Sequence, residues 1–141
     1  MAAVARYIAD KSALARLHLQ SVNAFLGPLI EAGLVATCAM IEFEVLWSTR
    51  SSAEFAEVRS DREAGYEWLP IEDAQWRRAI DVQQALWLSG QMRAVPLPDL
   101  LIAAVAEQHG VTVVHYDADY DRIAAVTNQP TQWVVPRASV P

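Results

Sequence analysis

A β-branched apolar run near the C-terminus, Val111 to Val114, ends in the alternating acids Asp117, Asp119 and Asp121. Such a run reads as a buried strand, and a strand that stops in acids delivers them to one edge of a sheet. Open α/β folds bind their ligands at that edge. Like charges this close are costly unless something positive lies between them, and a hard divalent cation is the usual partner. Three further places can contribute. Asp10 ends the short apolar stretch VARYIA, Asp99 follows Pro98 at the start of a helical pattern, and Glu42 and Glu44 lie in MIEFEVLWSTRS. The two glutamates are two apart on a helix, so only one can face a given pocket.

Magnesium and manganese take oxygen ligands, often one or two carboxylates with waters and substrate phosphates. Four or five converging acids would suit one or two such ions, which activate a water and neutralise a phosphoryl group in transfer. Plainer roles compete: Asp99 also reads as a helix cap, and the glutamate pair as a solvated face. Zinc has no ligand cluster, because His18, His109 and His115 are scattered and Cys38 is the single thiol. His115, two residues before Asp117, reads as structural support. Cys38 reads as a small buried apolar residue.

The elements that must position these acids alternate. Residues 4–9 form a strand ending at Asp10, and Ser12 is placed to cap a helix reaching about His18. A helix from Ser21 to Gly33 contains Pro28, which predicts a kink or break. LVAT (34–37) is a second strand. Helices are expected over 39–49 and from Ser51 or Ser52 to about Ala64, then a short extended piece from Tyr66 to Ile71. A helix over about 72–89 carries Trp76, Ala79, Ile80, Leu86 and Trp87 on one stripe. DLLIAAVAEQH (99–109) is a helix closed by Gly110, the acid-ended strand follows, and a helix over 119–126 precedes a last extended piece, TQWVV. Short strands separated by helices imply a parallel sheet covered on both sides. If the strands leaving Asp10 and Asp117 are parallel neighbours, right-handed crossovers bring both acids to one edge.

The 141 residues suit a single domain, 1–141, and 53% hydrophobic residues specify a folded chain. A formal charge of −6 argues against broad nonspecific nucleic-acid affinity, although an acidic site can present positive charge through its metal ions. Ten of the eleven basic residues are Arg, with Lys11 the one lysine. No window approaches a membrane span and no signal-peptide core is present, so a cytoplasmic location without membrane attachment is the expectation.

Four blocks in order, YIADKSALARL, FEVLWSTRS, MRAVPLPDLLIAAVA and VVHYDADYDRIAAVT, resemble a PIN domain. They resemble more narrowly the VapC toxins of bacterial toxin–antitoxin pairs, especially the actinobacterial type. The resemblance implies a three-layer α/β/α sandwich with a short central parallel sheet of four to five strands. It implies that Asp10, Glu44, Asp99 and Asp117 are catalytic metal-binding acids, with Asp119 the fifth ligand and Glu42 outside the set. Ser12 matches the small hydroxyl that supports the first carboxylate. Lys11 departs from the small polar residue of many relatives and is expected to point into solvent. The implied activity is an endoribonuclease dependent on Mg2+ or Mn2+, acting on cellular RNA. A homodimer and neutralisation by a cognate VapB antitoxin are implied as well. Arg50 and Arg93 lie in matching blocks and are candidates for holding phosphates. Trp47, Trp68, Trp76 and Trp87 are expected in the core or against partner chains, with RNA stacking as the alternative. Haloacid-dehalogenase-like phosphatases and receiver domains both want a late lysine that the chain lacks. A non-catalytic PIN-like module that binds a partner through its acids stays open.

Overall fold

A computed structural model describes residues 3–141. Its elements run β1 (Tyr7–Ala9), α1 (Lys11–Leu14), α2 (Gln20–Glu31), β2 (Val35–Thr37), α3 (Ala39–Trp47) and α4 (Ser52–Gly65). There follow β3 (Glu67–Trp68), α5 (Asp73–Leu88), α6 (Leu97–His109), β4 (Thr112–His115), α7 (Asp119–Thr127) and β5 (Thr131–Trp133). The five strands form one parallel sheet in the order β3-β2-β1-β4-β5. This is the expected α/β/α architecture at the upper end of the expected strand number.

Strand periodicity decides how the sheet is covered. Ile8, Ala36 and Val113 point to one face and pack with α5, α6 and α7 residues such as Leu86, Val105 and Ile123. Their neighbours Ala9, Val35 and Val114 point to the other face and join Val22 and Leu26 of α2. Alternate residues of a strand project to opposite faces, so strands buried on both sides must be apolar throughout. Helix α6 is the central helix of its layer. Its eight residues Asp99–Ala106 are all buried, which explains an apolar run without an amphipathic stripe. Gly110 ends it at φ 66°, the left-handed conformation that favours glycine.

Strand order reverses at β1. From there the sheet grows through β2 and β3 on one side and through β4 and β5 on the other. The crevice between the C-terminal ends of β1 and β4 is therefore a topological switch point, where open α/β sheets bind ligands. Asp10 and Asp117 follow those two strands, and the Asp10 N–H donates to the Val114 carbonyl at 2.9 Å.

Three local expectations are corrected. Asp10, rather than Ser12, caps α1 by accepting from the Ser12 N–H, and the helix stops at Leu14 instead of His18. Helix α2 continues through Pro28; the carbonyl of residue 24 that loses its partner belongs to an exposed turn, where water can satisfy it. The stripe on α5 is split. Ala79 and Leu86 face inward together with Gln75 and Val82, whereas Trp76, Ile80 and Trp87 are exposed.

Candidate active site

Each acid reaches the switch-point edge by a different local device. Asp10 is placed by β1 and held by three donors. Oδ2 accepts from the Ser12 N–H at 3.0 Å and the Ser12 hydroxyl at 2.6 Å, and Oδ1 accepts from the Tyr120 hydroxyl at 2.8 Å. The Ser12 hydroxyl oxygen also accepts from the Tyr116 N–H at 2.9 Å, tying the exit of β1 to the exit of β4. Asp117 is set by a tight turn: its N–H donates to His115 Nδ1 at 3.1 Å, and its Oδ1 accepts from the Asp119 N–H at 2.9 Å. Asp119 opens α7 and accepts from the Arg122 guanidinium at 2.6 Å.

Asp99 stands in the first turn of α6, set there by a proline on either side of Leu97, yet it is only 6% exposed. Carboxylate oxygens of Asp99, Asp117 and Asp119 all lie within 4.8 Å of one another. A helix N-terminus favours an ionised carboxylate by about 0.3–1 kcal/mol. Burial and the charges of Asp10, Asp117, Asp119 and Glu44 win here, pushing the Asp99 carboxyl from 3.8 up to about 8. Its Oδ2 has no hydrogen-bond partner, and neither has Glu44 Oε1. Glu44 is raised by burial and then by Asp10, with Lys11 acting in the opposite direction. Asp119 is raised by burial and by Asp117, against the pull of Arg122.

These two orphaned oxygens form the strongest local test of a cation. An unpaired buried carboxylate is expensive unless protonated or matched by positive charge. Hard oxygen donors without nitrogen or sulfur ligands suit magnesium or manganese, so the residues fit such an ion. Asp99, Asp117 and Asp119 form the tightest group; Asp10 and Glu44 are near enough to raise Asp99 electrostatically but lie outside that 4.8 Å set.

Glu42 and Glu44 go opposite ways. Glu42 accepts two hydrogen bonds from Arg62, at 2.7 and 2.8 Å, and a third from the Thr37 hydroxyl. It belongs to a structural pair beneath a separate groove. Lys11 is half-buried with its ammonium close enough to stabilise the Glu44 carboxylate, contrary to the expectation of a solvent-pointing chain. Arg50 and Arg93 are both exposed, and among the described residues neither side chain pairs with any of the five acids. Asp121 instead accepts from the Trp133 indole N–H at 3.2 Å. His115 is fully buried between Tyr120 and Trp133, ring centroids 5.0 and 5.1 Å away, and burial lowers its pKa. The expected tryptophans are not core: Trp47 is 88% exposed, and Trp68, Trp76 and Trp87 are exposed as well.

Tyr120 is the residue that sequence reasoning missed. A tyrosine on the inner face of α7 looks like packing, and no local signal links it to an acid 110 positions earlier.

A sequence model of the PIN domain matches residues 7–126. Ribonuclease VapC21 of Mycobacterium tuberculosis is 46% identical over 130 residues, covering 92% of this chain and 94% of the relative. Ribonuclease VapC51 of the same organism is 40% identical over 135 residues, covering 96% and 97%. Among solved structures, a DNA-bound VapBC from Salmonella typhimurium superimposes with a TM-score of 0.75 at 12% identity, covering 94% of this chain and 100% of the other.

Proposed function

The chain belongs to the PIN-domain family, and from that premise we propose that it is a metal-dependent endoribonuclease toxin of the VapC kind. The observation that carries the reading is Asp99: a buried carboxylate in the tightest group of acids, with one oxygen unpaired and its pKa up at about 8. Asp10, Glu44, Asp99, Asp117 and Asp119 would hold Mg2+ or Mn2+. When bound, the ion supplies an activated water and neutralises charge on the scissile phosphate. The protein's own share is positional. Ser12 and Tyr120 hold Asp10, the β4–α7 turn holds Asp117, and Arg122 restrains Asp119. Asp99 and Glu44 have no hydrogen-bond donors among the described residues and both hold their protons more tightly than free carboxyls, so a bound cation would be what draws out their negative charge.

An acidic protein does not attract RNA over its whole surface, so the centre itself must supply the attraction. Arg50 and Arg93, exposed and unpaired among the described residues, remain free to contact phosphates.

A cognate antitoxin has a place to bind. Helices α3 and α4 border an open groove of about 940 Å³, lined by Phe43, Leu46, Trp47, Phe55, Tyr66 and Trp68. Its charged residues are already matched, Arg62 with Glu42 and Arg59 with Glu63, so the groove selects apolar side chains. Helix α3 carries the groove wall on one side, through Phe43, Leu46 and Trp47, and Glu44 on the other, so the helix stands between the groove and the acids. The expected homodimer would use the exposed row Trp76, Ile80 and Trp87 on α5.

Labelled RNA incubated with purified chain and Mg2+ or Mn2+ tests the activity. Cleavage is expected, lost with EDTA and lost in Asp10→Asn and Asp99→Asn. Cleavage that persists in both variants refutes the site. The orphaned carboxylates also suit a partner's arginine, so a chain that cuts no RNA but binds its antitoxin would be a binding module.

A further inference from the structure

We propose that Tyr120 is a positioning residue for the acidic centre, its buried hydroxyl holding the Asp10 carboxylate in the orientation in which it joins the other acids. The inference rests on reading those acids as a metal centre.

Tyr120 is fully buried and heads the large side chains that are. Its ring packs against His115 at 5.0 Å, a task that phenylalanine would perform equally well. The hydroxyl is therefore the informative atom. A buried phenol needs an acceptor, and a nearby main-chain carbonyl would satisfy it. Here the acceptor is an acid at the end of β1, 2.8 Å away and 110 residues distant in sequence.

The accounting at Asp10 is specific. An ionised carboxylate offers about four acceptor positions, two on each oxygen. The Ser12 N–H and hydroxyl take both on Oδ2, and Tyr120 takes one on Oδ1. One position on Oδ1 is left for a cation. Ser12 alone would pin one oxygen and let the carboxylate pivot about it. Tyr120 grips the other oxygen from α7, the helix that opens with Asp119. The same helix thus fixes two acids from opposite sides of the switch point, and α7 and β1 cannot shift independently without breaking this bond. Glu44 Oε1 and Asp99 Oδ2 have no comparable restraint among the described residues.

The test is calorimetric titration of Mn2+ into the metal-free full chain, as wild type, Tyr120→Phe and Thr127→Val. The last variant removes a hydroxyl at the far end of α7 that donates to the Ile123 carbonyl at 2.9 Å, and controls for general loss of a hydrogen bond from that helix. Loss of a residue that orients a metal ligand weakens metal binding about 10–100-fold. Tyr120→Phe is expected to raise the Mn2+ dissociation constant by that factor, and Thr127→Val by less than about twofold. A Tyr120→Phe constant within twofold of wild type, whatever its melting temperature, overturns the proposal and leaves Tyr120 a packing residue. A wild-type chain that takes up no manganese overturns the metal reading as well, so the two failures are distinct. Should Tyr120→Phe not fold, proton NMR of the wild type decides. The hydroxyl proton of Tyr120 must shift on adding Mg2+, and a resonance that stays put refutes the role.

Discussion

Replacing Asp99 with asparagine should make the metal-free protein more stable at alkaline pH while removing its ability to gain stability from manganese. Asp99 titrates at 3.8 in a free chain and at about 8 in the fold. A raised carboxyl pKa means that the folded state holds the proton more tightly than the unfolded state. The stabilisation from that proton is complete below pH 4 and is lost as pH rises through 8. At about 1.4 kcal/mol for each tenfold change in proton affinity, the step from 3.8 to about 8 sets a ceiling on the order of 6 kcal/mol. Asp99 is 6% exposed, so solvent screening takes away little, but relaxation and sharing of charge among five acids lower the realised value. Asparagine keeps the shape and cannot ionise. Melting curves in EDTA from pH 4 to 9 should therefore nearly coincide at pH 4. By pH 8 the variant should lead by at least about 5 °C, given about 2–4 °C per kcal/mol for a chain of this size. Millimolar Mn2+ should raise the wild-type melting temperature and leave Asp99→Asn almost unmoved, because binding to the folded state alone stabilises it. A constant difference between the two proteins across the pH range would refute the reasoning, since it would mean that Asp99 is not the group holding the proton.

Other perturbations test the surrounding structure. Arg62→Ala leaves Glu42 without its bidentate partner in a mostly buried position, and should cost about 3 kcal/mol in urea unfolding; a loss under about 1 kcal/mol would show the pair to be a solvated one. Trp47→Ser changes a side chain that is 88% exposed, so stability should stay within about 0.5 kcal/mol while affinity for the antitoxin falls at least tenfold; unchanged affinity in a titration removes the α3–α4 groove from the interface. Ile80→Glu should leave the monomer folded and shift it from dimer to monomer in light scattering, and a dimer that persists would exclude the α5 face.

The order of strands and helices, the parallel sheet and the exits of Asp10 and Asp117 were all legible in the chain, because they depend on local signals. Short continuous apolar runs ended by an acid state both that a strand is buried on its two faces and where it leaves the core. Pro96, Pro98 and Gly110 marked the ends of α6 in the same local way. The position of Pro28 misled for a reason of the same kind: a proline removes one hydrogen bond, but exposure of the preceding turn decides whether that loss breaks a helix.

Tertiary structure decided the rest, through contacts that no local pattern encodes. Two residues apart on α3, Glu42 and Glu44 look alike; Arg62, twenty positions away, takes the first and leaves the second to the acids. The exposed side of α5 was hidden by a stripe whose tryptophans are as apolar as its core residues, and only the position of α6 tells which half is covered. Tyr120 acquired its partner from β1 only when α7 docked beside it. The types of residue in the centre were set by the sequence, since only carboxylates supply such hard oxygen donors. Their unequal condition, Asp10 held by three donors and Asp99 pushed to about 8, comes from burial and distance, which exist only once the sheet has formed.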